Sequence, residues 1–467
     1  MPGAPVVVQR RAAWAWRSVL VVAMLAEAVT VAVGVHSTWH RAPFWLYAVS
    51  FPLFALALVA LANSAIDLRR ALIGVVAIGA VLQILALMKP PISSDDAYRY
   101  GWDAKVQLAG IDPYAYTPAD AQVDRLRSAT LFPQDTGHCP WPLPDNICSR
   151  INRPTVHTIY PPVAEAAFTL ARVVSLARTD GTVPMQIFAA LGATALSWLL
   201  AIRAWRRRRP AWTVAVWAWC PMTVIELGNN AHIDWLAVLL SVLALLVGRR
   251  ITDGSSGRRP ATIAGALVGA AVATKIYPAL IGASLLRRHP VRVVTAAAAV
   301  FLLGYVPHVA AVGSAVVGFL PDYVKQENYL SGGRFLVLSL VVPKRFALDV
   351  AVVLIVVTLL WAGRRSDPRA PEDTAVIVFG VVLMVTTPVY SWYALILLAL
   401  VALSGRVEWL PMVLGAGLSM VGALLVTNGV EVHRVVYSVA AVTTGALLLG
   451  TAWRARRRTD PVAATPA

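Results

Sequence analysis

The sequence predicts an all-α integral membrane protein of about 12–13 transmembrane helices with one large extracytoplasmic loop. Three observations predict it. Hydrophobic residues make up 58% of the 467 and charged residues 14%, where soluble domains carry about 45–50% and about 25%. Mean hydropathy is +0.66. The apolar residues fall in repeated runs near the roughly 20-residue length that crosses a bilayer core, with arginines clustered beside them. So little charge cannot cover a water-facing surface. The same numbers exclude a disordered chain, a collagen and a disulfide-dense secreted module. A net charge of +17 suggests nucleic acid in a soluble protein. Here the arginines flank apolar runs, so the positive-inside rule accounts for them and no nucleic-acid partner is implied.

Residues 1–88 carry the expected spans 14–35, 44–65 and 71–88. No small-residue cleavage pattern follows the first, which is therefore expected to stay in the chain. Residues 184–311 carry 184–204, 211–227, 232–248 and 293–311, and residues 347–453 carry 347–363, 374–388, 391–404, 408–427 and 435–453. Arginines at 10–11, 69–70, 206–209, 249–250, 364–365 and in the run 454–458 mark the cytoplasmic side, which puts both termini and the 454–467 tail inside. The stretch 261–286 has arginines on both flanks and is short for two passes. A hairpin of two short helices breaking near Lys275 and Pro278 satisfies both constraints. The segment 161–179 carries Glu165, Arg172 and Arg178 and is expected as an amphipathic helix on the outer leaflet. Residues 89–183 then form the outer region, and 312–346 a second outer segment. The expected location is the plasma membrane, with the large loop outside.

That loop is much longer than a connection needs to be, and long loops on rigid scaffolds tend to carry function. It holds Cys139 and Cys148, which an oxidising compartment lets pair as a disulfide; Cys220 lies in an apolar run and reads as a packed thiol. Pro90 and Pro91 stop the preceding span, Ser93 or Ser94 is placed to cap a new helix, and Gly110 to end it. Asp95, Arg99 and Asp103 share one face of that helix; Asp96, Tyr100 and Asp103 share the next. The adjacent carboxylates read two ways. They are helix caps, or they are a base that takes the proton of an attacking sugar hydroxyl. Tyr98, Arg99, Tyr100 and Trp102 favour the second, since aromatic rings stack on sugars and a guanidinium meets phosphate.

The run DDAYRYGWDAKVQLAGIDPY at 95–114 resembles the first-outer-loop signature of bacterial polytopic GT-C glycosyltransferases, D-x-Y-R-Y-x-W-D-G followed by G-I-N-P-Y. It is most similar to the mannosyltransferase-like members of glycosyltransferase family 87. Weaker likenesses lie at TIYPP (158–162), NNAHID (229–234), ATKIYP (273–278) and PVYSWY (388–393). The chain departs from the signature at Ala104, where glycine is usual, and at Asp112, where asparagine is usual. The resemblance implies a GT-C fold, a polyprenyl-phosphate sugar as donor, and Asp96 as the general base with Asp95 in support.

Other polar groups divide between two readings. Asn229, Asn230, His232 and Asp234 are a cap and turn, or they contact the sugar or order the base. Lys275 snorkels to the interface, or meets a phosphate. Tyr160, with Pro161 and Pro162, starts a helix, or rims a site. Arg334, after Gly332 and Gly333, is a lone loop arginine, or clamps a phosphate. Tyr390, Trp392 and Tyr393 form an interfacial belt, or a binding wall. Asp96, His232 and Asp234 could be drawn around a divalent ion, but the spacing does not require one, and no metal is assigned.

Taken together, the sequence points to a glycosyltransferase moving mannose from a polyprenyl-phosphate donor to an envelope glycan or glycolipid on the outer face. It names no other cofactor. An arabinofuranosyl or other polyprenyl-phosphate-sugar transferase is the near alternative. A lipid-linked glycan flippase or transporter is the alternative of a different class, and a glycan polymerase or ligase a third. The D-x-Y-R-Y helix discriminates against these last two.

Overall fold

The computed structural model describes residues 6–459, apart from 40, 135, 136, 138, 140, 176–179, 424, 426 and 427. Residues 176–179 of the expected amphipathic segment and 460–467 of the tail thus lie outside the described residues. Most of the described residues are helical, and the one sheet among them is a two-stranded hairpin, Pro142–Leu143 with Ile147–Cys148. This is a multi-pass membrane protein.

Seven of the twelve expected spans are helices long and apolar enough to cross a bilayer alone: Ala12–His36, Ala42–Asn63, Leu68–Ala86, Val183–Arg207, one beginning at Pro290, Lys344–Arg365 and Gly429–Ala455. The other five are shorter or broken. Asp234–Gly248, Ser391–Ser404 and Val407–Ala423 are short apolar helices, and Pro371–Thr386 has 16 residues. The span expected at 211–227 breaks: Trp212–Ala218 ends before Pro221, and Val224–Asn229 winds as a π-helix. Proline has no N–H to continue the ladder, and wide π turns mark functional sites more often than plain helix.

Burial explains the short helices. Every residue of Leu395–Ser404 is buried, so this helix is surrounded by protein and needs no lipid-facing length. Trp217 and Trp219 close the centre, donating their indole N–H groups to the carbonyls of Ala193 and Val75 at 3.1 and 2.9 Å. Arg258–Val272 packs against Pro290–Val312, with Gly265 and Gly269 facing the backbone of Val293 and Ala297 so closely that a Cβ would not fit. Small residues permit this approach where no hydrophobic effect drives helices together. After Val272 the chain turns through Lys275 and resumes as Ala279–Gly282 and a 3₁₀ turn, the expected hairpin with a much shorter second limb.

The 89–160 loop is folded. Its helix runs Asp96–Leu108 and ends through Gly110 at φ +77°. The expected serine cap is only half correct. Asp95 occupies the cap position with no side-chain cap bond, while the Ser94 hydroxyl accepts from the Asp96 N–H at 3.3 Å. Trp102, Val106, Leu131, Phe132 and Ile151 form a small separate core. Cys139 and Cys148 are disulfide-bonded, as expected, and Cys220 is a buried free thiol. The amphipathic helix runs Pro162–Val174 and packs on Asp96–Leu108.

Candidate active site

A cavity of about 850 Å³ opens where the loop meets the helix ends. One wall is polar and comes from the loop: Asp95, Asp96, Trp141, Asn152 and Arg153. Another is apolar and comes from the helical body: Ile276, Leu280, Phe379, Val382 and Leu383. Lys275, Tyr160, Tyr390 and Trp392 also line it.

The loop's entry is pinned by the broken helix. Asn229 accepts from the Ile92 N–H at 2.9 Å and donates to the carbonyls of Ala86 and Lys89. Asn230 accepts from the Ser93 N–H and donates to the Ser93 hydroxyl at 2.7 Å. The two asparagines are therefore braces for the loop and not sugar contacts. The bracing holds Asp95 and Asp96 at the cavity wall.

The two carboxyls sit in opposite environments. Burial pushes Asp95 up, as does the charge of Asp96, while Trp141 opposes them. Burial also works against Asp96, but neighbouring positive charge, on His232 when it is protonated and on Lys275, with hydrogen bonds from Asn152 and Tyr160, outweighs it and holds the carboxyl below the usual range. Asn152 donates to Asp96 Oδ1 at 2.8 Å, and His232 Nδ1 lies 3.6 Å from Oδ2. The surroundings thus push the neighbouring carboxyls in opposite directions, and Asp96 is the one held toward its ionised form.

Lys275 does not snorkel. Its Nζ lies 3.4 Å from Asp234 Oδ2 and 5.2 Å from the Tyr160 ring centroid, in the cavity wall. Tyr277 also donates to Asp234, at 2.8 Å, so Asp234 acts behind Lys275. His232 is buried and stacks on Trp392 at 3.9 Å, and Trp392 stacks on Tyr390 at 4.6 Å. These aromatics form a wall, not an interfacial belt.

Several expected site residues serve elsewhere. Trp102 packs in the loop's own core, edge-on to Phe132, and Tyr98 packs beside it under Arg150. Tyr100 is buried between Phe168 and Tyr160. Arg99 borders the cavity, but its Nε is spent on Asp103 and its Nη1 on the Val156 carbonyl. A helical face is shared by every fourth residue, and this one faces protein. Arg334 is also corrected: it pairs with Glu327 at 2.6 Å, its carbonyl accepts from Thr387, and it does not line the cavity. Gly332, at φ +73°, makes a turn against the Lys344 carbonyl and approaches no ligand.

Sequence reasoning missed Trp141, Asn152, Arg153 and Glu226. Nothing local marks the first three. Arg153 reaches the wall from a left-handed conformation, φ +48°, with its guanidinium 5.7 Å from the Phe319 ring centroid. Glu226 carried a signal, a lone carboxylate inside an apolar run. Among the described residues no group of three His, Cys, Asp or Glu side chains is placed to hold a metal ion.

The family model described as Glycosyltransferase family 87 matches residues 158–391. The chain belongs to glycosyltransferase family 87. The matched residues of this glycosyltransferase include Tyr160, Glu226, His232, Asp234, Lys275 and Tyr390. Asp95, Asp96 and Trp392 fall outside them, and the fold brings these three against the matched set. No curated protein and no solved structure matches the chain.

Proposed function

We propose that this glycosyltransferase moves mannose from a polyprenyl-phosphate donor to a hydroxyl of an envelope glycan or glycolipid, on the outer face of the plasma membrane. One observation carries the reading. An ionised, half-buried carboxylate, Asp96, shares a cavity with two cations, Lys275 and Arg153, and with an apolar wall from the helical body. A lipid phosphate sugar needs those three features together. Its prenyl chain lies along Ile276, Leu280, Phe379 and Leu383, and its phosphate meets Lys275 and Arg153.

Asp96 takes the proton of the acceptor hydroxyl as that oxygen bonds the anomeric carbon. The bond from that carbon to the phosphate oxygen breaks, and the phosphate leaves as an anion, so no general acid is needed. Tyr390, backed by Trp392, offers a ring face to sugar, and Asp95 with Trp141 flanks the acceptor side. Outside the membrane nucleotide sugars are absent, which favours a lipid-linked donor. Mannose follows from the likeness of the 95–103 run to mannosyltransferase-like members.

The test is transfer by the purified enzyme from radiolabelled polyprenyl-phosphate mannose, arabinofuranose, glucose and galactose to an envelope glycolipid mixture. Transfer from the mannose donor alone is expected. Transfer from another donor reassigns the sugar, and no transfer from any of them removes the reading.

A further inference from the structure

Glu226 has no part in the reaction as written above, yet it is among the most heavily solvated-by-protein groups in the molecule. It is fully buried on the π-helix Val224–Asn229. Tyr47 donates to its Oε1 at 2.7 Å, Ser391 donates to the same oxygen, and Asn230 donates to Oε2 at 2.9 Å. These donors come from three separate parts of the chain. Buried carboxylates are costly unless hydrogen-bonded, and three donors converging on one is a construction that holds a negative charge.

The charge has a direction. Glu226 Oε2 lies 3.4 Å from His232 Nε2, and the other ring nitrogen, Nδ1, lies 3.6 Å from Asp96 Oδ2. The imidazole is fully buried, and Trp392 stacked on its face fixes the ring plane. His232 does not line the cavity; Asp96 does. The order from the cavity inward is therefore Asp96, His232, Glu226. Around this row stand Lys275, Asn152, Tyr160 and Asp95 beside Asp96, and Tyr47, Ser391 and Asn230 beside Glu226.

We propose that Glu226 and His232 form a proton-accepting pair behind Asp96. The inference rests on the glycosyl transfer proposed above and deepens it. The Glu226 carboxylate, 3.4 Å from Nε2, favours the tautomer with its proton on Nε2 and so leaves the Nδ1 lone pair facing Asp96. The acceptor O–H bond breaks and its proton goes to Asp96 Oδ2. From there it passes to Nδ1, which leaves Asp96 ionised and an imidazolium between two carboxylates. The proton returns to water by the same route when product leaves. An aspartate carboxylate is ordinarily a weaker base than imidazole. The pair thus supplies the driving force that Asp96 lacks. Both partners act through Asp96 and touch no substrate, so they are positioning residues.

The test measures steady-state transfer from polyprenyl-phosphate mannose by the wild-type enzyme, Glu226→Gln, His232→Gln and the double variant. Glutamine keeps an oxygen for Tyr47 and Ser391, removes the charge, and puts an NH₂ in place of the Oε2 that accepts from Asn230 and faces His232 Nε2. Each single variant is expected to lower kcat by roughly 10–100-fold, at or below the 10²–10⁴-fold that positioned proton transfer supplies, with both KM values unchanged. The double variant should fall no further than His232→Gln alone, since residues acting in series do not add. Additive losses, a raised KM at unchanged kcat, or wild-type kcat per folded molecule would each overturn the pair. Should Glu226→Gln not fold, Tyr47→Phe replaces it. It should lower kcat by about 2–10-fold, the range of one hydrogen bond, and have no effect on a His232→Gln background; an equal effect in both backgrounds overturns the proposal. A wild-type enzyme inactive with every donor would overturn the transfer reading and the pair with it, whereas active wild type with unmoved variants overturns the pair alone.

Discussion

Asp96→Asn separates base catalysis from helix capping. The amide has the size of the carboxylate. Its oxygen still accepts from Asn152, the bond that Oδ1 makes at 2.8 Å, and its NH₂ turns toward His232 Nδ1. The substitution therefore keeps the local packing and removes the charge. As a base Asp96 contributes roughly 10²–10⁴ in rate, or about 3–5 kcal/mol of barrier. As part of the helix N-terminus it contributes much less. It makes no side-chain cap bond, because the cap residue is Asp95, and a carboxylate in the first turn adds about 0.3–1 kcal/mol through the dipole. The sign of the pH effect follows from the lowered carboxyl. Its folded value lies below the ordinary 3.8, so Asp96 is ionised at every pH above about 5. Any stability its charge supplies is present above 3.8 and lost as pH falls through the lower folded value. The assay is transfer per folded molecule, with folded protein counted by size-exclusion chromatography in detergent. Asp95→Asn should cost less. Near wild-type turnover in Asp96→Asn with Asp95→Asn inactive would move the base to Asp95, and full activity in both would refute the mechanism.

Lys275→Met should raise the donor KM or abolish turnover while the protein stays in the membrane, because it removes a cavity cation and leaves Asp234 to Tyr277; unchanged kinetics would take Lys275 out of the donor site. Cys139 and Cys148 should react with a membrane-impermeant maleimide on intact cells only after reduction, since they are bonded to one another and the proposed reaction requires their loop outside. Labelling without reduction contradicts the bond. Asp180 binds Lys105 and Arg172, each at 2.6 Å, and although burial opposes it these partners hold its carboxyl down at about 2. The stability it gives the loop is present above the ordinary 3.8 and is lost as pH falls toward about 2. Acid titration of intrinsic fluorescence should show a loop transition in that window that Asp180→Asn removes.

The residues of the loop helix show what a sequence pattern carries and where it stops. Asp96 was legible, because a carboxylate at a helix start beside aromatics is a local arrangement. Trp102 and Tyr100 were legible only as aromatic rings. Which way a ring points depends on the elements opposite, here Phe132 for one and Phe168 for the other, and those lie far away in the chain. Arg99 met a carboxylate four residues on before it could meet a phosphate. Arg334 likewise found Glu327 seven residues away. A cation near an acidic residue in sequence is as ready for an internal partner as for a ligand, and only the fold decides between them.

By itself the sequence determined the membrane class, the helix of the large loop, the short break at Lys275 within 261–286 and the disulfide. Each depends on hydropathy, on local charge or on neighbours within about one helix length, and the bilayer turns these directly into structure. The tertiary structure alone decided that 211–227 breaks into a π-helix, that Arg153 and Asn152 reach the cavity, and that Glu226 stands behind His232. Tyr47 and Glu226 are 179 residues apart, and Ser391 and Glu226 are 165 apart. No periodicity spans such distances, because the contact depends on which buried helix faces meet, and that choice is made by packing across the whole bundle.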